Sequence, residues 1–243
     1  MPEVFFTADT HFFHAAIPAM VGRRHPDGGP FADVREMDEE LVRAWNATVP
    51  KGSIVWHLGD FAVVRNAEDT RRAKALLSRL NGQVFLVRGN HEDKGTGEAG
   101  FGWAGVFDMQ DLRSATDAEG KRHRFWLCHY PVLSWPGAHR GVPHLHGHSH
   151  GRIPSTRLHL DVGVDAVSAW TGAMRPVSVD EIRARMALLP EHYLQDAGPF
   201  DFETGTAVGP NGRAVPMAQS RKSASATASA PGDREEDGAR PRP

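Results

Sequence analysis

"VFLVRGNHE", residues 84–92, is a short apolar run that stops at a glycine and is followed at once by an amide and an imidazole. An uninterrupted run of β-branched and aromatic residues of this length reads as a buried strand. Two earlier stretches repeat the arrangement. "EVFFTA" (3–8) leads into Asp9 and His11, and "SIVWHL" (53–58) leads into Gly59 and Asp60. Between them, 33–48 puts Val34, Met37, Leu41 and Trp45 on one helical stripe, with Asp33 and Glu36 at capping-box spacing. Residues 67–80 form a second helix, opened by Asn66 and closed by "NG" at 81–82. Strands alternating with helices are the pattern of an α/β layered domain.

The second half changes character. "HRFWLCH" (123–129), "PHLHGH" (143–148) and "RLHLDVGVD" (157–165) read as strands with few helices between them. Ser178 and Glu181 make a capping box for a last helix that Pro190 ends. Two Gly-rich loops, 93–105 and 134–143, each follow a histidine. From about residue 205 the chain turns to Ala, Ser, Gly, Pro and charges, a composition with too little apolar surface to offset chain entropy. The expected organisation is therefore one domain over 1–204 and a disordered tail over 205–243.

The 243 residues include 28 basic and 30 acidic side chains, for a net charge of −2. Without a basic stripe, gripping duplex nucleic acid or an anionic membrane is not the expected role. A small anionic substrate held by a metal remains open. Cys128 is the single cysteine, so no intramolecular disulfide can form, which fits a reducing compartment. The start, "MPEVFFTADTH", lacks the pattern of a signal peptide, and no run approaches a membrane span. The expectation is a cytoplasmic protein.

The chemistry gathers at the strand ends. After the predicted strands come Asp9 and His11, Asp60, Asn90 and His91, His129, and His148 with His150. Ligands of open α/β sheets collect outside the carboxyl ends of strands, so these groups can converge. All offer oxygen or nitrogen and none a thiolate, which suits Mn, Fe, Zn or Ni. With His91 set aside, the seven others are too many for one tetrahedral ion and suit two ions sharing a carboxylate. Two ions can clamp the attacking and leaving oxygens of an in-line displacement at phosphorus, and His91 is placed to protonate the leaving alkoxide.

The ordered series D-x-H, G-D, G-N-H, H, G-H-x-H resembles the calcineurin-like metallophosphoesterases, over roughly residues 3 to 180. The resemblance implies an α/β fold: a sandwich of two mixed sheets flanked by helices, with a dinuclear metal site at the strand ends. By motif position, Asp9, His11, Asp60 and His150 would hold one divalent ion, and Asp60 would bridge to a second completed by Asn90, His129 and His148. It further implies a phosphodiester or phosphomonoester hydrolase that uses metal-bound hydroxide, with His91 as general acid and manganese as the first choice of metal. The Ser/Thr protein phosphatases follow G-D with a D-R-G segment, whereas this chain has "GDFAVVR". Small bacterial and phage-type members, with "DTHF", "HLGDF", "RGNHE" and "HLHGHSHG", are more similar. The expected partner is a small phosphorylated molecule, with nucleotides included. A nuclease of oligonucleotide ends and a catalytically retired scaffold for protein contacts are the alternatives.

Other residues carry two readings each. In "HLHGHSHG" (144–151), strict strand alternation would line up His144, His146, His148 and His150 on one face. His144 and His146 are then strand residues or hydrogen-bond partners of the ligands. His57 reads as a packed strand histidine, and Cys128 as facing the core if His129 faces the metals. His14 overhangs the site or lies in a surface loop. Arg88 and Arg140 are phosphate clamps, or solvated or salt-bridged arginines. Asp161 and Asp165 orient ligands or cap turns. Trp103 and Trp135 roof the site or form a satellite cluster.

Overall fold

The first apolar run folds as β1 (Val4–Thr7), buried throughout, in a computed structural model of the chain. The structure describes residues 2–92 and 95–191, and the backbone of 200–201, 206–208 and 214–215. After β1 come α1 (Ile17–Val21), α2 (Val34–Thr48), β2 (Ile54–His57), α3 (Ala67–Leu77), β3 (Gln83–Val87) and β4 (Gly105–Phe107). Then follow β5 (Met109–Thr116), β6 (Arg122–Cys128), β7 (His144–His146), β8 (His159–Asp161), α4 (Val164–Thr171), β9 (Val177–Ser178) and α5 (Val179–Ala187).

Two mixed sheets result. One has the order β4-β3-β2-β1-β9, parallel except that β9 runs antiparallel to β1; the other is β5-β6-β7-β8, with only β5 antiparallel. Alternation along β1 shows how they stack. Val4 and Phe6 join Leu127, Leu145 and Leu160 of the second sheet in an inter-sheet core. Phe5 points the other way, onto Met37, Leu41 and Trp45 of α2 and Leu76 and Leu77 of α3. The first sheet is thus buried on both faces, which its continuous apolar runs require.

Caps set the helix limits. Asp33 accepts hydrogen bonds from the backbone of Arg35 and Glu36, while the Glu36 carboxylate takes the N–H of Ala32, one residue before the expected partner. The box of Ser178 and Glu181 at α5 closes in both directions. Two readings differ from the expectation. The run 157–165 is strand only over His159–Asp161; Gly163 turns the chain and Val164 begins α4, whose end at Gly172 has φ 78°. The alternation V-G-V hid this start, because it mimics a period of two. β7 ends at His146, so the four alternating histidines do not share a strand face.

Residues Leu194–Pro243 form a separate unit. It contains a small antiparallel sheet of β10 (Phe200–Asp201), β11 (Thr206–Val208) and β12 (Ala214–Val215). Two of these strands fall within the segment that composition assigned to a disordered tail, and the rest of that segment lies outside the described residues.

Candidate metal centre

Asp9, Asp60, Asn90, His129 and His148 stand in the loops just beyond β1, β2, β3, β6 and β7, as the parallel strands dictate. The turns that carry them are strained. Asp9 (φ 55°), His11 (48°), Asp60 (58°), His148 (67°) and His150 (48°) all adopt left-handed backbone, shared among the described non-glycine residues only by Phe13. Each such residue costs about 1 kcal/mol or more unless its surroundings enforce it. Five of them converging on one point mark where the fold sacrifices stability for placement.

Asp60 is the hinge of the arrangement. Its Oδ2 lies 3.4 Å from His11 Nε2, and its Oδ1 lies 3.5 Å from His129 Nε2. Asp9, His11 and His150 form one set of potential ligand atoms within 4.8 Å of one another, and Asp60, His129 and His148 form another; a third, His11, Asp60 and His91, shares a member with each. Asn90 Oδ1 joins the second set, 3.1 Å from His129 Nε2 and 2.8 Å from His148 Nδ1.

Divalent cations fit these residues. His11 is 2% exposed, yet neither of its ring nitrogens makes a hydrogen bond. Burial, with the charges of Arg23, His150, His91 and His14, pushes its pKa down to about 2, so it is a neutral imidazole ready to ligate. Burial holds the Asp9 carboxyl well above its ordinary range, and the nearby charges of Asp161 and Asp60 push the same way. Cations between these carboxylates relieve both the repulsion and the orphaned nitrogens.

A supporting layer holds the ligands. His129 Nδ1 donates to Leu58 O at 2.7 Å, leaving Nε2 for a metal. The Glu92 carboxylate accepts from the backbone N–H of Gly89, Asp60 (2.9 Å) and Phe61 (2.8 Å), tying the "GD" and "GNH" turns together. Asp161 accepts from Ser149 Oγ at 2.6 Å and from the N–H of Gly151 and Gly163, fastening the loop of His148 and His150. His150 Nδ1 is 2.6 Å from Asp165 Oδ2, and Arg23 grips the same carboxylate through Nε and NH2. Arg23 also donates to the carbonyls of Thr10 and Asp9, bracing the strained first loop. At Gly59 (φ 95°) a Cβ would stand 2.6 Å from both Gly89 N and His129 Nδ1, so no other residue fits there.

The model of the calcineurin-like phosphoesterases matches residues 2–183. The chain belongs to this family. An uncharacterized protein of Methanocaldococcus jannaschii is 30% identical over 189 residues, 75% of this chain and 90% of that one. The Gene 66 protein of Mycobacterium phage L5 is 28% identical over 206 residues, 75% of this chain and 93% of its own. A solved structure of a protein of unknown function from Aquifex aeolicus shares the fold, with a TM-score of 0.53 at 18% identity, covering 76% of this chain and all of that one.

Of the remaining candidates, some border this cluster and others lie elsewhere in the fold. His14 stands over it, 5.4 Å from His11 and 6.2 Å from His91 between ring centroids. Arg88 is engaged away from the ligands, on Asp108 at 2.8 Å and Gly97 O at 2.9 Å. Arg140 is exposed at the end of a single 3-10 turn, Ala138–Arg140. His144 and His146 are buried strand residues. His144 faces the carbonyls of Trp126 and Tyr130, and His146 faces Gly147 O and His159. His57 packs against Trp45 and meets Thr10 Oγ1 at 3.0 Å. Cys128 is buried with Trp126 and Val142, where Trp135 also packs, and Trp103 lies in the core under α2 and α3. Arg23 and Glu92 were not found from the sequence, because nothing in "GRRHP" or "GNHE" separates a brace from a surface charge.

Adding a divalent metal to chelator-stripped protein should raise its melting temperature. Saturation at 100 times Kd stabilises by about 2.7 kcal/mol, or about 5–10 °C for a domain of this size. Scanning calorimetry with Mn, Fe, Zn and Ni added singly checks this; no shift with any of them would remove the metal centre.

Proposed function

We propose that the chain is a dinuclear metal-dependent hydrolase of phosphodiesters or phosphomonoesters, with manganese the first metal to test. The observation that carries this reading is Asp60, whose two carboxylate oxygens face two separate sets of ligand atoms. Asp9, His11, Asp60 and His150 would hold one ion, and Asp60, Asn90, His129 and His148 the other. Bound there, the ions would draw charge from the phosphoryl oxygens and lower the pKa of the attacking water. In this reading the substrate is a small phosphorylated molecule, nucleotides among them, met in the cytoplasm.

The side chains supply placement and a proton. His91 is tethered by its own N–H to Asp60 Oδ1 at 2.9 Å, and its ring meets His11 edge-on at 4.9 Å. Its side chain is 41% exposed while Asp60 beside it is buried, which leaves Nε2 reachable by a departing alkoxide. A proton held there meets the leaving oxygen as the ester bond breaks.

His91→Ala tests the assignment through the leaving group. Esters with alkyl leaving groups should slow by about 10²- to 10⁴-fold, and p-nitrophenyl esters, whose phenolate departs without a proton, far less. Steady-state kinetics on matched alkyl and p-nitrophenyl phosphodiesters measures this. Equal losses on both would make His91 a ligand or a structural residue instead.

A further inference from the structure

Two consecutive arginines after α1 are used in opposite ways. Arg23 is buried and spent on Asp165 and two carbonyls. Arg24 is exposed and, among the described residues, makes no hydrogen bond or ion pair. Both line a cavity of about 320 Å³ whose wall also carries the ligand His150, its partner Asp165, His25 and Ser168. The cavity therefore shares one wall, His150, with the candidate metal centre. None of Arg88, Arg140 and His14 takes part in it.

The charges lining the cavity do not cancel. Asp165 is matched by Arg23 and by the hydrogen bond to His150. His25 Nδ1 is 3.1 Å from Asp27 Oδ1, a carboxylate outside the cavity lining. Ser168 Oγ donates to the carbonyl of Asp165. The guanidinium of Arg24 is left over, a planar fork suited to an oxyanion. The volume is at the lower end of small-molecule sites, about 300–1,000 Å³, and suits a compact charged group rather than a polymer.

We propose that this cavity binds a second anionic group of the substrate, a phosphate or a carboxylate, through Arg24, so that preferred esters carry such a group beside the one hydrolysed. This rests on the phosphoesterase reading for the scissile group but is tested separately from it. Arg24 selects substrate by charge, while the metal ligands and His91 act on the ester itself.

Equilibrium binding decides the matter without turnover. Titration calorimetry of manganese-loaded protein compares the non-hydrolysable phosphonate analogue of thymidine 5′-monophosphate with that of thymidine 3′,5′-bisphosphate, and with a 3′-O-carboxymethyl derivative of the former to separate phosphate from carboxylate. The doubly anionic ligand should bind about 10-fold tighter, the range of charge-assisted hydrogen bonds. Arg24→Ala should erase that preference. Arg183→Ala, which removes an exposed arginine on α5, should keep it. Equal affinities in the wild type, or a preference that survives Arg24→Ala, would overturn the proposal. Bis-p-nitrophenyl phosphate assayed on the same preparation reports on the phosphoesterase reading alone. Its failure leaves the binding comparison readable.

Discussion

Asp60→Asn is expected to lower ester hydrolysis by roughly a thousand-fold or more while leaving the metal-free protein at least as stable as the wild type. The substitution keeps the shape of a side chain that is wedged between His11 and His129 and receives the N–H of His91. It removes the charge that two cations would share. Without metal, that same charge is a burden, since Asp9 is already pushed toward its neutral form by burial and by Asp161 and Asp60. The measurements are turnover of bis-p-nitrophenyl phosphate, metal content per chain, and melting temperature in chelator. A variant that keeps most of its turnover would sink the bridging role. A large drop in metal-free melting temperature would show that Asp60 is mainly structural.

Arg23→Met is expected to cost about 3–5 kcal/mol, because it strands Asp165 in the interior without its partner. For a domain of this size that is a fall of about 6–20 °C in melting temperature. Burial alone would raise the Asp165 carboxyl, but the charge of Arg23 and the hydrogen bonds of His150 and Arg23 bring it down to about 2. A depressed carboxyl pKa stabilises the fold above its unfolded value of about 4. That contribution is lost as pH falls through about 2, so the penalty of the variant should be largest near neutrality. The double variant Arg23→Met/Asp165→Leu should regain much of the stability, yet bind metal about 10- to 100-fold more weakly because His150 loses its orienting carboxylate. Calorimetry and metal titration read the two effects separately. Unchanged metal affinity in the double variant would reduce Arg23 and Asp165 to packing.

The candidate ligand residues were legible because most stand just past an apolar run, and a parallel strand delivers its end to a common edge. Asp9, Asp60 and His129 needed no knowledge of distant contacts. Arg23 did, since its partner Asp165 lies 142 positions away and its role exists only once both sheets are in place. Glu92 was invisible for a different reason: it works by accepting three backbone N–H groups, which no side-chain pattern records. The fold showed the same division. The helices α2, α3 and α5 could be read from stripe and cap, whereas α4 was hidden behind an alternating V-G-V start. Nor did the row of histidines reveal that its strand ends at His146, because a left-handed turn at His148 is a tertiary choice.

The candidate ligands come from both sheets: Asp9, His11, Asp60 and Asn90 follow strands of the first, and His129, His148 and His150 lie beyond strands of the second. Even the backbone joins them, as the N–H of His148 donates to the carboxylate of Asp9 at 2.9 Å. A nascent chain still on the ribosome therefore exposes half of the pocket long before the other half exists. Until His150 has emerged and the sandwich has closed, a passing cation meets only isolated aspartates and imidazoles, a weak and unselective trap. A metal held by these residues would therefore be loaded last, into a finished cavity rather than by the growing polypeptide.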